Sequence, residues 1–236
     1  VGGKTGINHR AGKNLIGSFY QPQLVVIDPT LIDTLPNREL VSGWAEVLKH
    51  GVIQPSTPLG ERGDLFRFYE RNAGRLTRLS QPALTYAIRR NIALKAAVVE
   101  ADERESGVRA FLNFGHTLGH AIEAAGYRYL HGEAIAAGMR AANRIGQSMG
   151  TLDLATSQRF DNLLAQFGLP THVEVDVERV LALVESDKKR AAGKIQWVLP
   201  STKGGVTMRD DVPATVVRDA LSTVMWRESA ANPLPR

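Results

Sequence analysis

The chain has 236 residues, 43% of them hydrophobic, which fits one large folded domain or two small ones and excludes a disordered chain. No apolar run approaches the length of a membrane span and the N-terminus lacks a signal peptide's apolar stretch, so a cytoplasmic protein is expected. There is no cysteine, which excludes disulfides and thiolate metal sites, and the net charge of +5 favours anionic partners; its basic residues are scattered and aromatics reach only 6%, against the stripe-and-stack pattern of a nucleic-acid binder.

The first element, VGGKTGINHRAGKN, opens inside a glycine-rich run, as expected of a piece of a longer protein. Gly3, Lys4 and Thr5 match the end of a Walker loop, but Gly6, Gly12 and Gly17 and the lack of 3.6 periodicity before Pro22 argue against a phosphate loop flowing into a helix. Lys4, Lys13 and Asn14 on this backbone fit an anion cradle, or an ordinary turn-rich connector. QLVVID, residues 23–28, reads as a buried strand between two prolines. From Asn37 the pattern turns helical, with Leu40, Val41, Trp44, Leu48 and Val52 on one face and Gly51 near the stop. Further helices are predicted over 64–79, 81–105, 109–125, 131–149, 155–167 and 177–185. KIQWVLP and GVTMRD predict a hairpin, PATVVRDALSTVM a closing helix, and ANPLPR a disordered tail. The expected fold class is mainly α, with a strand-bearing segment 1–36 ahead of a helical domain 37–236.

Within RAFLNFGHTLGHAIEAAG, Arg109, Asn113, His116 and His120 fall on one helix at about 0°, 40°, −20° and 20°, a polar stripe on an otherwise apolar element. A solvated face would explain one histidine; two at i and i+4, in register with Asn and Arg, point to a site. His131 follows closely at a helix start. Catalytic zinc takes three protein ligands, often two His and a carboxylate. Glu123 and Glu133 are near in sequence, and Glu46 is the better third candidate; from spacing alone, Glu46 and Lys49 read at least as well as an i,i+3 surface ion pair. Only eight of the 29 basic residues are Lys, and Lys4, Lys13, Lys49, Lys95, Lys188 and Lys189 fall in or beside these stretches, where a compact ammonium suits phosphate or hydroxyl contacts.

Taken together, GGKTGIN, GKNLIGSFYQPQ, LPNRELVSGWAEVLKHG, ADERESGVRAFLNFGHTLGHAIE, HGEAIAAGM and DKK resemble the 3-dehydroquinate synthases, in that family's order and approximate spacing, from Gly2 to about Leu199. The resemblance implies a helical C-terminal domain of a dehydroquinate synthase-like fold, preceded by a short α/β remnant of a nucleotide-binding domain. It implies zinc, with cobalt as a substitute, on Glu46, His116 and His131. Substrate contacts are implied for Lys49, Lys95, Arg109, Asn113, His120, Asn14, Lys4 and a DKK lysine, Lys188 or Lys189, with His120 placed for proton transfer. NAD is implied along Lys4, Lys13 and Leu31, Ile32, Asp33 and Thr34. The implied reaction converts 3-deoxy-D-arabino-heptulosonate 7-phosphate into 3-dehydroquinate and phosphate, in a homodimer. The family's nucleotide-binding domain lies ahead of the GGKT block and is missing from this sequence, so the expectation is poor NAD binding and little turnover for this chain alone. Alternatives are another sugar phosphate cyclase of the 2-deoxy-scyllo-inosose or 2-epi-5-epi-valiolone synthase type, a metal-dependent polyol dehydrogenase, or a non-catalytic helical module. Retention of Lys95, Arg109, Asn113 and His120 favours the substrate that carries a carboxylate.

Overall fold

The computed structural model describes residues 1–9, 12–60, 64–126, 128–190 and 193–225, excepting the side chains of 8, 12–15 and 187–190. The expectations for the side chains of Lys13, Asn14, Lys188 and Lys189 and for the ANPLPR tail lie outside these described residues. The fold is mainly helical, as its periodicity predicts. After a hairpin of β1 (Lys4–His9) and β2 (Gly12–Phe19) come α1 (Asn37–Ile53), α2 (Leu65–Leu76), α3 (Ala83–Ala101), α4 (His116–Gly126) and α5 (His131–Ser148). Then follow α6 (Leu154–Gln166), α7 (Val177–Arg190), an antiparallel hairpin of β3 (Trp197–Pro200) and β4 (Val206–Arg209), and α8 (Ala214–Val224).

The bundle is built around α5. Its residues Ala134, Ile135, Ala136, Ala137, Met139, Ala141, Ala142 and Ile145 are buried on every side, the pattern of a helix with no solvent face. It packs against α1, α4, α6, α8 and β3. Local chemistry starts the outer helices: Asp64 Oδ1 accepts from Arg67 N at 2.8 Å at the head of α2, and Asp153 Oδ1 from Thr156 N at 2.6 Å at the head of α6.

Three expectations are corrected. The opening segment is a hairpin, not a connector: Lys4 faces Phe19 and Ile7 faces Ile16 across an antiparallel pair. Alternate residues of this run pair well enough to form strands, but glycine interruptions hide the period. QLVVID is not a buried strand. Residues 23–28 form no ladder, and Leu24 and Val26 are 78% and 82% exposed, because an apolar run becomes a strand only where a neighbouring strand supplies hydrogen bonds, and none among the described residues does so. The third correction concerns the helix expected over 109–125, which is broken. Val108–Asn113 is a 3-10 turn, Gly115 takes φ +78°, and α4 begins afresh at His116. A left-handed residue ends an α-helix, and glycine makes that break inexpensive.

Candidate metal and anion site

Because of this break, Arg109 and Asn113 leave the stripe predicted for them, while His116 and His120 stay on one face of α4. His131 is the first residue of α5, and its approach to α1 is enforced by the next residue: a Cβ on Gly132 would lie 1.8 Å from Ser42 O, so only glycine lets the two backbones meet. Gly132 N donates to Ser42 Oγ at 3.0 Å across the same contact. One turn beyond Ser42 stands Glu46, so α1, α4 and α5 deliver a carboxylate and three imidazoles to one point.

Glu46 Oε1 lies 3.4 Å from His116 Nε2 and 3.6 Å from His131 Nε2, and it is buried with no hydrogen-bond partner. A buried carboxylate oxygen left unsatisfied between two imidazole nitrogens is what a cation would resolve. The far sides of both rings are tied down. His116 Nδ1–H donates to Phe114 O at 3.1 Å and His131 Nδ1–H to Glu123 Oε2 at 3.2 Å, which leaves both Nε2 lone pairs facing Glu46. His120 joins the group, its ring 5.1 Å from that of His116 and 5.8 Å from that of His131; one ligand atom from each of the three histidines falls within 4.8 Å of the others.

The pair formed by Glu46 and Lys49 is not the surface ion pair that spacing allowed. Lys49 is 3% exposed, and its Nζ donates to Glu46 Oε2 at 2.6 Å. Burial pushes the Lys49 ammonium below the ordinary lysine range, and Glu46 offsets this only in part. Burial also works against ionising Glu46, yet the Lys49 charge and the adjacent His116 and His131 rings outweigh it and hold the carboxyl far below its usual range. His116 is lowered by burial despite Glu46, while His131 is raised by the neighbouring Glu46 and Glu123 carboxylates. Next to Lys49, His50 is buried and neutral, its pKa pushed down to about 3 chiefly by desolvation; its Nδ1–H donates to Asn91 Oδ1 at 2.7 Å.

A second group of charges comes from the loop between α3 and α4. Arg109 is buried and donates to Glu103 O at 2.6 Å and Gly2 O at 2.8 Å, so it ties the N-terminal segment to the helical core. The side chain of Lys95, on α3, approaches Gly2 beside it, and its charge reaches Lys49. Lys4 pairs with Glu105, which also accepts from Asn113 Nδ2 at 2.7 Å. The sequence reading missed Glu105. Its one visible signal is its place in the acidic ADERESG run, and its φ of 62°, rare for a residue with a Cβ, marks a constrained position. Leu31, Asp33 and Thr34 lie exposed on a 3-10 turn over Pro29–Thr34 that packs against α3, with Ile32 partly covered. The structure thus brings Glu46, Lys49, His116, His120 and His131 together, and Lys4, Lys95, Arg109 and Asn113 around Gly2 and Glu105.

Asp102 organises that loop, accepting from Ser106 N at 2.9 Å, Gly107 N at 2.7 Å and Arg109 N at 3.0 Å. The Ser106 amide, with those of Arg109 and Gly107, holds its carboxyl at about 2, below the ordinary 3.8. A depressed carboxylate stabilises the fold fully above its unfolded value and loses that contribution as pH falls through the folded one. The amide resonances of Ser106, Gly107 and Arg109 are therefore expected to titrate with a midpoint at about 2 and to stay flat near pH 3.8.

Residues 43–190 match the family model described as 3-dehydroquinate synthase C-terminal, and residues 1–42 that described as 3-dehydroquinate synthase N-terminal. A 3-dehydroquinate synthase from Synechococcus sp. is 44% identical over 228 residues, 95% of this chain. The chain spans 61% of that relative's length. Among solved structures, the 2-epi-5-epi-valiolone synthase ValA from Streptomyces hygroscopicus subsp. jinggangensis 5008, with NAD+ and Zn2+ bound, superposes with a TM-score of 0.81 at 26% identity, over 95% of this chain and 61% of that one. A 2-deoxy-scyllo-inosose synthase complexed with carbaglucose-6-phosphate, NAD+ and Co2+ shares the fold, with a TM-score of 0.66 at 22% identity over 92% of this chain and 60% of that one.

Proposed function

The chain belongs to the 3-dehydroquinate synthase family, and from that premise we propose that it forms the metal- and substrate-binding wall of an enzyme that converts 3-deoxy-D-arabino-heptulosonate 7-phosphate into 3-dehydroquinate and phosphate. The observation that carries this reading is the buried, partnerless Glu46 Oε1 between the Nε2 atoms of His116 and His131. These three side chains would hold zinc or cobalt, and Leu31 to Thr34 with Lys4 and Lys13 would line NAD. When bound, the metal supplies a Lewis acid to the substrate hydroxyl and the dinucleotide a reversible hydride acceptor.

The chain's own groups divide the remaining work. Lys4 and Lys49, with Asn14 and Lys188 or Lys189, supply donors for the phosphate. Lys95 and Arg109, side by side against Gly2, supply positive charge for the carboxylate, and Asn113 hydrogen-bonds a hydroxyl. His120, beside the metal ligands and exposed on α4, is placed to take and return a proton at its ring nitrogen. Glu123 fixes the His131 tautomer and makes its Nε2 a better ligand.

The test is phosphate release, with NAD and zinc present, from the chain fused to the part of the Synechococcus relative that the match does not cover. Turnover of the heptulosonate, with none of sedoheptulose 7-phosphate or glucose 6-phosphate, is the expected result. Turnover of sedoheptulose 7-phosphate instead would assign the chain to the valiolone-type cyclases, and turnover of glucose 6-phosphate to the inosose type. Zinc bound without turnover of any of the three would remove the cyclase reading. Within the active fusion, His120→Ala is expected to lower kcat by about 100-fold or more while retaining zinc.

A further inference from the structure

Glu133, near enough in sequence to be weighed as a metal ligand, is engaged elsewhere. One arginine takes both of its oxygens: Arg38 Nε donates to Oε1 and Nη2 to Oε2, each at 2.7 Å. Oε2 also accepts from Leu130 N at 2.9 Å, the reach-back by which a glutamate at the third helical position closes a helix start. Arg38 Nη2 donates as well to Arg128 O at 2.7 Å, so a single guanidinium holds the head of α5 and the loop before it.

Arg38 is the second residue of α1 and Glu133 the third of α5. From there, three turns of α1 meet three consecutive residues of α5: Arg38 with Glu133, Ser42 with Gly132, and Glu46 with His131. Residues four apart share a helix face, so one edge of α1 runs from the ion pair, through the close backbone contact, to the metal site.

Backbone placement matters more for His131 than for His116. The His131 side chain is 46% exposed and that of His116 13%, so less packing holds the His131 ring and its position follows the first turn of α5. A carboxylate gripped at both oxygens by a guanidinium is fixed in angle as well as distance, which capping by Glu133 alone would not achieve.

We propose that Arg38 and Glu133 are positioning residues of the metal centre: their two-pronged pair seats the start of α5 on α1 so that His131 Nε2 faces Glu46. This inference rests on the reading of Glu46, His116 and His131 as the metal ligands.

The probe is cobalt(II) alone, titrated into the chain and followed by its visible absorption. Arg38→Met, which keeps the length of the stem and removes the fork, is expected to weaken cobalt binding about 10-fold and to alter the bands of the saturated site as His131 withdraws. Arg159→Met is the control. Arg159 grips Glu70 in the same way between α6 and α2, Nε to Oε1 at 3.1 Å and Nη2 to Oε2 at 2.8 Å, so its loss tests the effect of breaking such a pair away from the site. Affinity and bands should be unchanged in that variant. Cobalt bound equally by the unaltered chain and Arg38→Met, with the same bands, overturns the positioning role and leaves the ligand reading intact. Equal losses in Arg38→Met and Arg159→Met reduce the pair to a general stabiliser and also overturn it. Absence of cobalt from the unaltered chain removes the ligand reading and this inference with it. Should Arg38→Met fail to fold by circular dichroism, Glu133→Gln decides instead. That variant keeps an acceptor for Leu130 N but offers Arg38 one oxygen fewer, so cobalt should bind about three-fold more weakly, and an unchanged affinity overturns the role.

Discussion

His116→Ala and His131→Ala are each expected to abolish stoichiometric zinc binding by the chain, while His120→Ala keeps it. The division follows from the nitrogen atoms. His116 and His131 each have Nδ1 engaged, by Phe114 O and Glu123, and each presents Nε2 to the same oxygen of Glu46 at 3.4 and 3.6 Å. With one of the three proposed ligands gone, the loss should exceed the 10–100-fold typical of outer-shell substitutions, so zinc becomes undetectable at stoichiometric protein by equilibrium dialysis with elemental analysis. Glu123→Gln, which keeps the hydrogen bond to His131 but removes the charge, should fall between, at about 10-fold weaker zinc. If His120→Ala loses zinc as completely as His116→Ala, the ligand set is the three histidines and Glu46 has another role.

Much of this arrangement is legible in the sequence, for reasons that can be stated residue by residue. The helices α1, α2, α5, α6 and α8 carry unbroken apolar periods, and their predicted spans agree with the structure to within a few residues. His116 and His120 are four apart on one helix, so their common face is a local property. Glu46 and His131 are not local to that helix, and nothing in spacing distinguishes Glu46 from a surface partner of Lys49; the burial of Lys49 and of Glu46 Oε1 decides that, and it depends on how the helices pack. Arg109 and Asn113 go astray because helical arithmetic assumes continuous α geometry, and Gly115 interrupts it. QLVVID misleads in the opposite sense, since β-propensity states what a segment pairs well with and not whether a partner stands beside it. The roles of Glu105 and Asp102 depend on loop hydrogen bonds that carry no period at all.

Gly132→Ala is expected to disable the site without touching any group that binds. A methyl group there would lie 1.8 Å from Ser42 O and 2.6 Å from Ser42 C, atoms of the α1 backbone that have no rotamer to retreat into. The only relief is to lift the first turn of α5 from α1, which breaks the 3.0 Å bond from Gly132 N to Ser42 Oγ and carries His131 away from Glu46. Overpacking of this kind costs about 3 kcal/mol or more, and the displacement also removes a proposed zinc ligand, so urea denaturation should show a lower midpoint and dialysis little bound zinc. Gly43→Ala, next to Ser42 on α1, is the matched control. Its Cβ would meet nothing within 4 Å, so only the helix-propensity gain of about 1 kcal/mol remains, and the variant should be slightly more stable with zinc unchanged. Opposite signs from the same substitution on facing helices would show that the metal site is set by how closely α1 and α5 approach. Equal behaviour of the two variants would mean that His131 reaches Glu46 without that close contact.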